Sequence, residues 1–255
     1  MRKGALYVYS AAALWSTIGP ASLGDPWSVS FFRLIFAGIA SARFFKPSKD
    51  LTLLGLIIFP FYVSYVLSVN TVGVTLAVAM LYTAPAWVSL VEKLEGRGSI
   101  LPALLASLGV YLLTGAPKLK ENFLIALLPG LLYASLILYS KKLLNEWNEE
   151  DLLSGNVYAS VLSLSLIPLV KLNLRPLLSG LYLGVICSTL AYLLFYRGLK
   201  EVEAWYASVA ATLEPLLASL WGFLLGERIS LISWGGFGLI LLSQGIAYKE
   251  ELSRT

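Results

Sequence analysis

Apolar residues run through this chain in long stretches, interrupted by short clusters of charged and turn-forming residues. Segments such as LLGLIIFPFYVSYVLSV and LLYASLILYS have no polar face, which places a helix in lipid or in a deeply buried core rather than at an aqueous surface. Dividing the chain at its polar breaks predicts ten spans, at 4–23, 28–45, 51–69, 74–92, 99–116, 122–141, 153–171, 177–198, 204–226 and 230–248. Each is close to the roughly 20 residues needed to cross a ~30 Å hydrocarbon layer. No period-two alternation over about ten positions recurs, so a membrane β-barrel is not expected. The opening MRKGALYVYSAAALW has the basic start, apolar run and small residues of a cleavable signal. It is read instead as the first span, because the apolar stretch continues to Leu23 and matches a later segment.

Composition agrees with this pattern. Hydrophobic residues make up 58% of the 255 and charged residues only 13%, too few to cover a water-facing surface. The expected fold class is therefore an all-α integral membrane protein with ten transmembrane helices. Basic residues are distributed unevenly: with the N-terminus inside, thirteen fall on the inner side and five on the outer, and the one left over, Arg33, lies within the second span. Since Lys and Arg in short loops are retained on the cytoplasmic side, both termini are expected in the cytoplasm and the chain in the cytoplasmic membrane. The net charge of +4 follows from that topology, and no basic cluster suggests a nucleic-acid partner. The single cysteine, Cys187, lies in an apolar span and implies neither a disulfide framework nor a metal site.

The two halves of the chain resemble each other. Shifting residues 62–96 by 130 places Tyr62 on Tyr192, Pro85 on Pro215, Ser89 on Ser219, Leu90 on Leu220, Leu94 on Leu224 and Gly96 on Gly226. The first spans correspond at a shift of 118, with Trp15 over Tyr133. The expected domains are residues 1–116 and 121–250, each with five spans. An odd number of crossings makes the second copy enter the membrane in the opposite sense, so the halves are expected to form two inverted five-helix repeats. Such pairs are characteristic of secondary transporters, whose halves exchange conformations around a site near the midplane.

Several motifs resemble those of EamA-type members of the drug/metabolite transporter superfamily: AALWSTIGP, FFRLIFAGI, LYTAPAWVSL, STLAYLLFYRGLKEVEA and LEPLLASLWGFLLGERIS. The resemblance covers nearly the whole chain. It implies a ten-helix fold of two inverted five-helix repeats that carries small organic solutes, relatives taking amino acids, sugars and other metabolites or drugs. One departure is that the first half has Gly96-Arg97 where the second has Gly226-Glu227.

Glu214, followed by Pro215, is the eleventh residue of its expected span and so lies near the midplane. Inserting an ionised side chain there costs about 2.5–3.5 kcal/mol on translocon scales, so Glu214 must face protein or water. Pro215 lacks an N–H, which leaves the carbonyl of Ala211 without its helical partner and favours a kink. Glu214 reads either as a neutral group that satisfies local polar atoms, or as a cavity residue that binds a cationic group or takes up and releases a proton. Trp15, Ser16, Thr17, Tyr62, Tyr65, Tyr82, Thr83, Tyr133, Asn156 and Tyr192 also lie at mid-span depths, where an interfacial aromatic belt does not explain them. Of these, Trp15, Tyr82, Tyr133 and Tyr192 are the candidate substrate contacts beside Glu214, with helix packing as the alternative. Arg33 reads either as a gating or anion-binding charge or as a side chain that snorkels to the interface. Glu92, Lys93, Glu95, Arg97, Glu227 and Arg228 read as interfacial charges. The glycines at 109, 115, 235, 236, 238 and 245 read as close helix contacts, with a dimer surface as the alternative.

The chain has no histidine, and its aspartates all fall in predicted loops, so no aspartyl pair or histidine-dependent triad is available within the membrane. The expected function is a non-enzymatic secondary transporter of a small organic metabolite, such as an amino acid or a drug-like compound, working by alternating access with proton coupling. A passive channel or facilitator and a non-transporting scaffold are the alternatives. The expected partners are a small-molecule substrate and the lipid bilayer, without cofactor or metal.

Overall fold

A computed structural model describes residues 2–118, 122–224 and 230–253, and every regular element among them is helical. Among the described residues, seven helical stretches are long and apolar enough to cross a membrane: Lys49–Val72, Val74–Leu94, Phe123–Leu143, Asp151–Leu169, Leu174–Glu201, Ala204–Leu224 and Leu231–Leu252. The protein is a helical membrane protein. The first, second and fifth expected spans are shorter than the sequence pattern suggests. They form α1 (Arg2–Trp15, 14 residues) with a one-turn α2 (Ile18–Ala21), α3 (Pro26–Ser41, 16 residues) and α7 (Ile100–Leu113, 14 residues). Local chemistry sets these limits. Asp25 caps α3 by accepting from Ser28 N at 2.9 Å, and Pro26 at the first position needs no N–H partner. α7 stops before Gly115, whose φ of +81° follows the last turn.

The fourth and ninth expected spans are each broken in the middle. α4 (Lys49–Val72) ends at Gly73, whose φ of +92° suits only glycine, and α5 (Val74–Leu81) then runs inward to a turn at Tyr82–Thr83. α6 (Ala84–Leu94) continues from there with Pro85 in its first turn. The second half repeats the arrangement with α12 (Ala204–Ala210), a turn at Ala211–Thr212, and α13 (Leu213–Leu224), which carries Pro215. Between them lie α8 (Phe123–Leu143), α9 (Ser154–Ser163), α10 (Leu174–Tyr182), a π-helical segment at Leu183–Leu190, and α11 (Ala191–Glu201). α14 (Leu231–Leu252) completes the bundle.

α4 packs on α8 and α9, α3 on α9 and α10, α1 on α11, and α7 on α14. The last pairing shows which glycines make close contacts. A Cβ on Gly236 would lie 2.5 Å from the carbonyl oxygen of Gly109 and would also strike the Leu113 amide, whereas Gly235, Gly238 and Gly245 have nothing within 4 Å. Only part of the expected glycine set therefore brings backbones together.

Gly4 of α1 and Glu251 of α14 both pack on the corner joining α11 to α12, defining what is here termed the near end of the bundle. α4 starts there, since Tyr139 of α8 donates to the Asp50 carbonyl at 3.3 Å. α5 starts at the opposite, far end and α12 at the near end. Glu92 is not the expected interfacial charge: it is 1% exposed and accepts from the Trp205 amide at 2.7 Å. Glu227 and Arg228 lie outside the described residues.

Candidate functional site

A cavity in the middle of the bundle is lined by Trp15, Ile18, Arg33, Phe61, Tyr65, Leu81, Tyr133, Tyr192 and Glu214. It is narrow. About 20 Å³ is open to the centre of a water-sized sphere, room for about one water molecule, within about 330 Å³ of empty space that includes its mouth. The lining thus brings together five sequence-predicted residues, Trp15, Arg33, Tyr133, Tyr192 and Glu214, from five different helical stretches. Tyr82 stands behind the lining and reaches the site through Glu214.

The two broken stretches meet at this point. The Tyr82 hydroxyl lies 2.6 Å from Oε2 of Glu214 and 3.0 Å from the carbonyl oxygen of Ala211. The Ala211 carbonyl also accepts from the Glu214 amide at 3.0 Å, a tightened turn in place of the bond Pro215 cannot make. It is therefore paired, contrary to the expectation from Pro215 alone, because the first half supplies a hydroxyl to the break in the second. Gly130 makes room for the other break: a Cβ there would lie 2.5 Å from the Met80 carbonyl oxygen.

Arg33 does not snorkel to the interface. It is 2% exposed, donates from Nε to Ser188 Oγ at 2.9 Å, and places its guanidinium carbon 3.8 Å from the centre of the Tyr62 ring. A cation over an aromatic face in a dry setting is attracted by the ring's quadrupole. The backbone around Arg33 is set by close contact with the neighbouring stretch, since a Cβ on Gly184 would lie 2.6 Å from the Arg33 carbonyl oxygen. The π-helical segment contributes here as well. Its wider turns loosen the regular carbonyl ladder, and the Cys187 carbonyl accepts from Trp15 Nε1 at 2.8 Å while that of Ser188 accepts from Asn156 Nδ2 at 3.0 Å. Asn156 is thus a helix-packing residue, away from the cavity.

The remaining wall is aromatic. Trp15 packs against Tyr192 with ring centres 4.9 Å apart, and Tyr133 stacks on Phe61 at 5.4 Å. The hydroxyls of Tyr65 and Tyr133 are buried and find no hydrogen-bond partner among the described residues. Both side chains line the cavity, so these groups are available to a polar solute. Phe61, Ile18 and Leu81 were not singled out from sequence; they carry no polar atom to distinguish them from core residues. A cation, a carboxyl group and two spare hydroxyls on an aromatic wall suit recognition of a small polar molecule with an apolar body.

The EamA-like transporter family model matches residues 121–248. An uncharacterized transporter of Archaeoglobus fulgidus is 30% identical over 266 aligned residues, covering 98% of each chain. An uncharacterized transporter of Haemophilus influenzae is 27% identical over 142 residues, covering 49% of this chain and 84% of its own. Over 69 residues the chain is 45% identical to the uncharacterized transporter YwfM of Bacillus subtilis, covering 27% of this chain and 23% of that one. One solved crystal structure shares the fold at 16% identity, with a TM-score of 0.82 over 96% of this chain and 98% of its own. The family model spans the second half and the archaeal relative aligns along nearly the whole length: the chain belongs to the EamA-like transporter family.

Proposed function

We propose that this protein is a secondary carrier of a small organic metabolite bearing an anionic group and a cationic or proton-donating group, amino acids being the simplest examples. The observation that carries this reading is that Arg33 and Glu214 line one aromatic-walled cavity. An anionic group of the solute pairs with Arg33, whose planar guanidinium suits a carboxylate. Its cationic end meets Glu214, and Trp15, Tyr133 and Tyr192 enclose its apolar body once the cavity widens from the one-water space of this closed state. Glu214 also exchanges a proton during the cycle, which couples transport to the proton gradient.

In this reading α1 with α2, α3 and α7 complete ten crossings with the seven longer stretches. Residues 1–116 and 121–250 are inverted repeats that alternate access to the cavity, with both termini in the cytoplasm and the chain in the cell membrane. The matched helix breaks before Pro85 and Pro215 support the repeat. Discontinuous helices at a midplane site are the usual construction of such carriers.

The test is reconstitution into liposomes with a screen of amino acids, sugars and cationic drugs under an imposed proton gradient. Saturable flux of a zwitterionic solute that responds to the gradient is expected. Flux linear in concentration indicates a channel, and no flux of any solute indicates a scaffold.

A further inference from the structure

Three buried or half-buried charges outside the cavity converge on the corner between α11 and α12. Glu92, from the last turn of α6, accepts from the Trp205 amide at 2.7 Å. Glu251, from the last turn of α14, accepts from the Glu203 amide at 2.9 Å. Lys141, from the last turn of α8, donates to the carbonyls of Leu199 at 3.0 Å and Val202 at 2.7 Å. Glu92 and Glu251 are each 1% exposed. Each charge meets the end of a helix with the sign that end favours: the two carboxylates take amides that start α12, and the ammonium takes carbonyls that finish α11.

The helix so held is unusual. All seven residues of α12 are buried, including Trp205 and Tyr206, and it fills the bundle between the near end and Glu214. Its other end is held by Tyr82 on the Ala211 carbonyl and by Gln244 Nε2 on the Val209 carbonyl at 2.7 Å. The offset of 130 places α5 residues Val74–Met80 over α12 residues Ala204–Ala210, yet Val74 and Thr75 are not buried and Gly73 supplies no side-chain cap. The same offset puts Gly222 where the first half has Glu92, so this acid is not duplicated in the second half.

We propose that Glu92, Lys141 and Glu251 form a latch on the 199–205 corner, and that α12 is the gate closing the cavity from the near end. This rests on the carrier reading, in which the cavity opens alternately to the two ends. The latch holds the near end closed: opening it requires the four charge-assisted bonds that these three side chains make to leave the corner together.

The experiment reads labelling rates of single cysteines in lipid nanodiscs with a water-soluble maleimide, in a Cys187→Ser background. Ser208→Cys reports on the gate, where Ser208 is fully buried, and Ile18→Cys reports on the cavity wall toward the far end. Removing both carboxylates with Glu92→Ala and Glu251→Ala is expected to raise labelling at 208 about tenfold or more, as two charged caps are lost, and to lower it at 18. The isosteric pair Glu92→Gln and Glu251→Gln, which keeps shape and an acceptor oxygen, moves both rates the same way by about threefold and is read if the alanine pair does not fold. Lys141→Met shifts them likewise. Unchanged protection at 208 in a folded variant overturns the proposal, and so does a rise at 208 with no fall at 18, which is local loosening of the corner. Labelling needs no substrate, so this result stands apart from whether any solute is carried.

Discussion

Tyr82 and Glu214, 132 positions apart in the chain, bring their side-chain oxygens to within 2.6 Å. A phenol owns one proton, and here it faces two acceptors, the carboxyl group and the Ala211 carbonyl. When Glu214 is protonated it donates to the phenol oxygen, and the phenol donates to Ala211. When Glu214 is ionised it accepts the phenol's hydrogen bond as the stronger acceptor, and the end of α12 loses that partner. The protonation of one carboxyl group is thus tied to the hydrogen bonding of a helix break.

Glu214→Gln keeps the shape of the side chain and removes its ionisation. In liposomes it is expected to lower uptake at subsaturating substrate about tenfold or more and to flatten its dependence on pH. Tyr82→Phe is expected to leave pH-dependent transport in place with a shifted midpoint. Wild-type rate and pH profile in Glu214→Gln would make the glutamate a structural residue.

Arg33→Lys retains the charge and loses the planar fork that stacks on Tyr62. The expected outcome is a KM about tenfold higher for a carboxylate-bearing solute, with little change for an analogue in which the carboxylate is an amide. Equal changes for the two solutes would place Arg33 in packing rather than recognition.

Single cysteines at Asn122 and Asn148, in a Cys187→Ser background, flank α8 at its two ends. In sealed vesicles of known orientation an impermeant maleimide is expected to reach them from opposite sides. Labelling of both from one side removes the inverted-repeat topology.

The contact of α7 with α14 is too close for an added methyl group on Gly236. Gly236→Ala is expected to destabilise the protein in detergent by about 1–3 kcal/mol, seen as a lower melting midpoint, with Gly238→Ala within error of wild type. A similar loss in both variants would mean that helix-backbone effects, not contact, decide.

The uniform apolar runs made the membrane class and most helices legible, because lipid demands satisfied backbone and apolar surface all along a span. The cavity residues were legible where a polar or aromatic group lay too deep for an interfacial role, as with Trp15, Tyr133, Tyr192 and Glu214. Phe61 and Ile18 could not be distinguished, since an apolar wall residue and an apolar core residue look alike in one dimension. The burial of Glu92 was equally hidden: a glutamate near a helix end has the same sequence appearance whether it meets water or the amide of a residue 113 positions away. The partner of the Ala211 carbonyl was also out of reach, because proline reports the loss of a local bond and says nothing about a distant hydroxyl that replaces it.

The π-helical segment ahead of α11 acts as a phase setter for everything after it. An α-helix turns about 100° per residue, so one residue gained or lost in that stretch rotates the following face by that angle. Tyr192, Phe195 and Tyr196 are all buried on the inner face of α11. Restoring regular α-helical winding between Leu183 and Leu190 would carry those rings around the axis together and off the line they now share, breaking up the aromatic wall without changing a single amino acid.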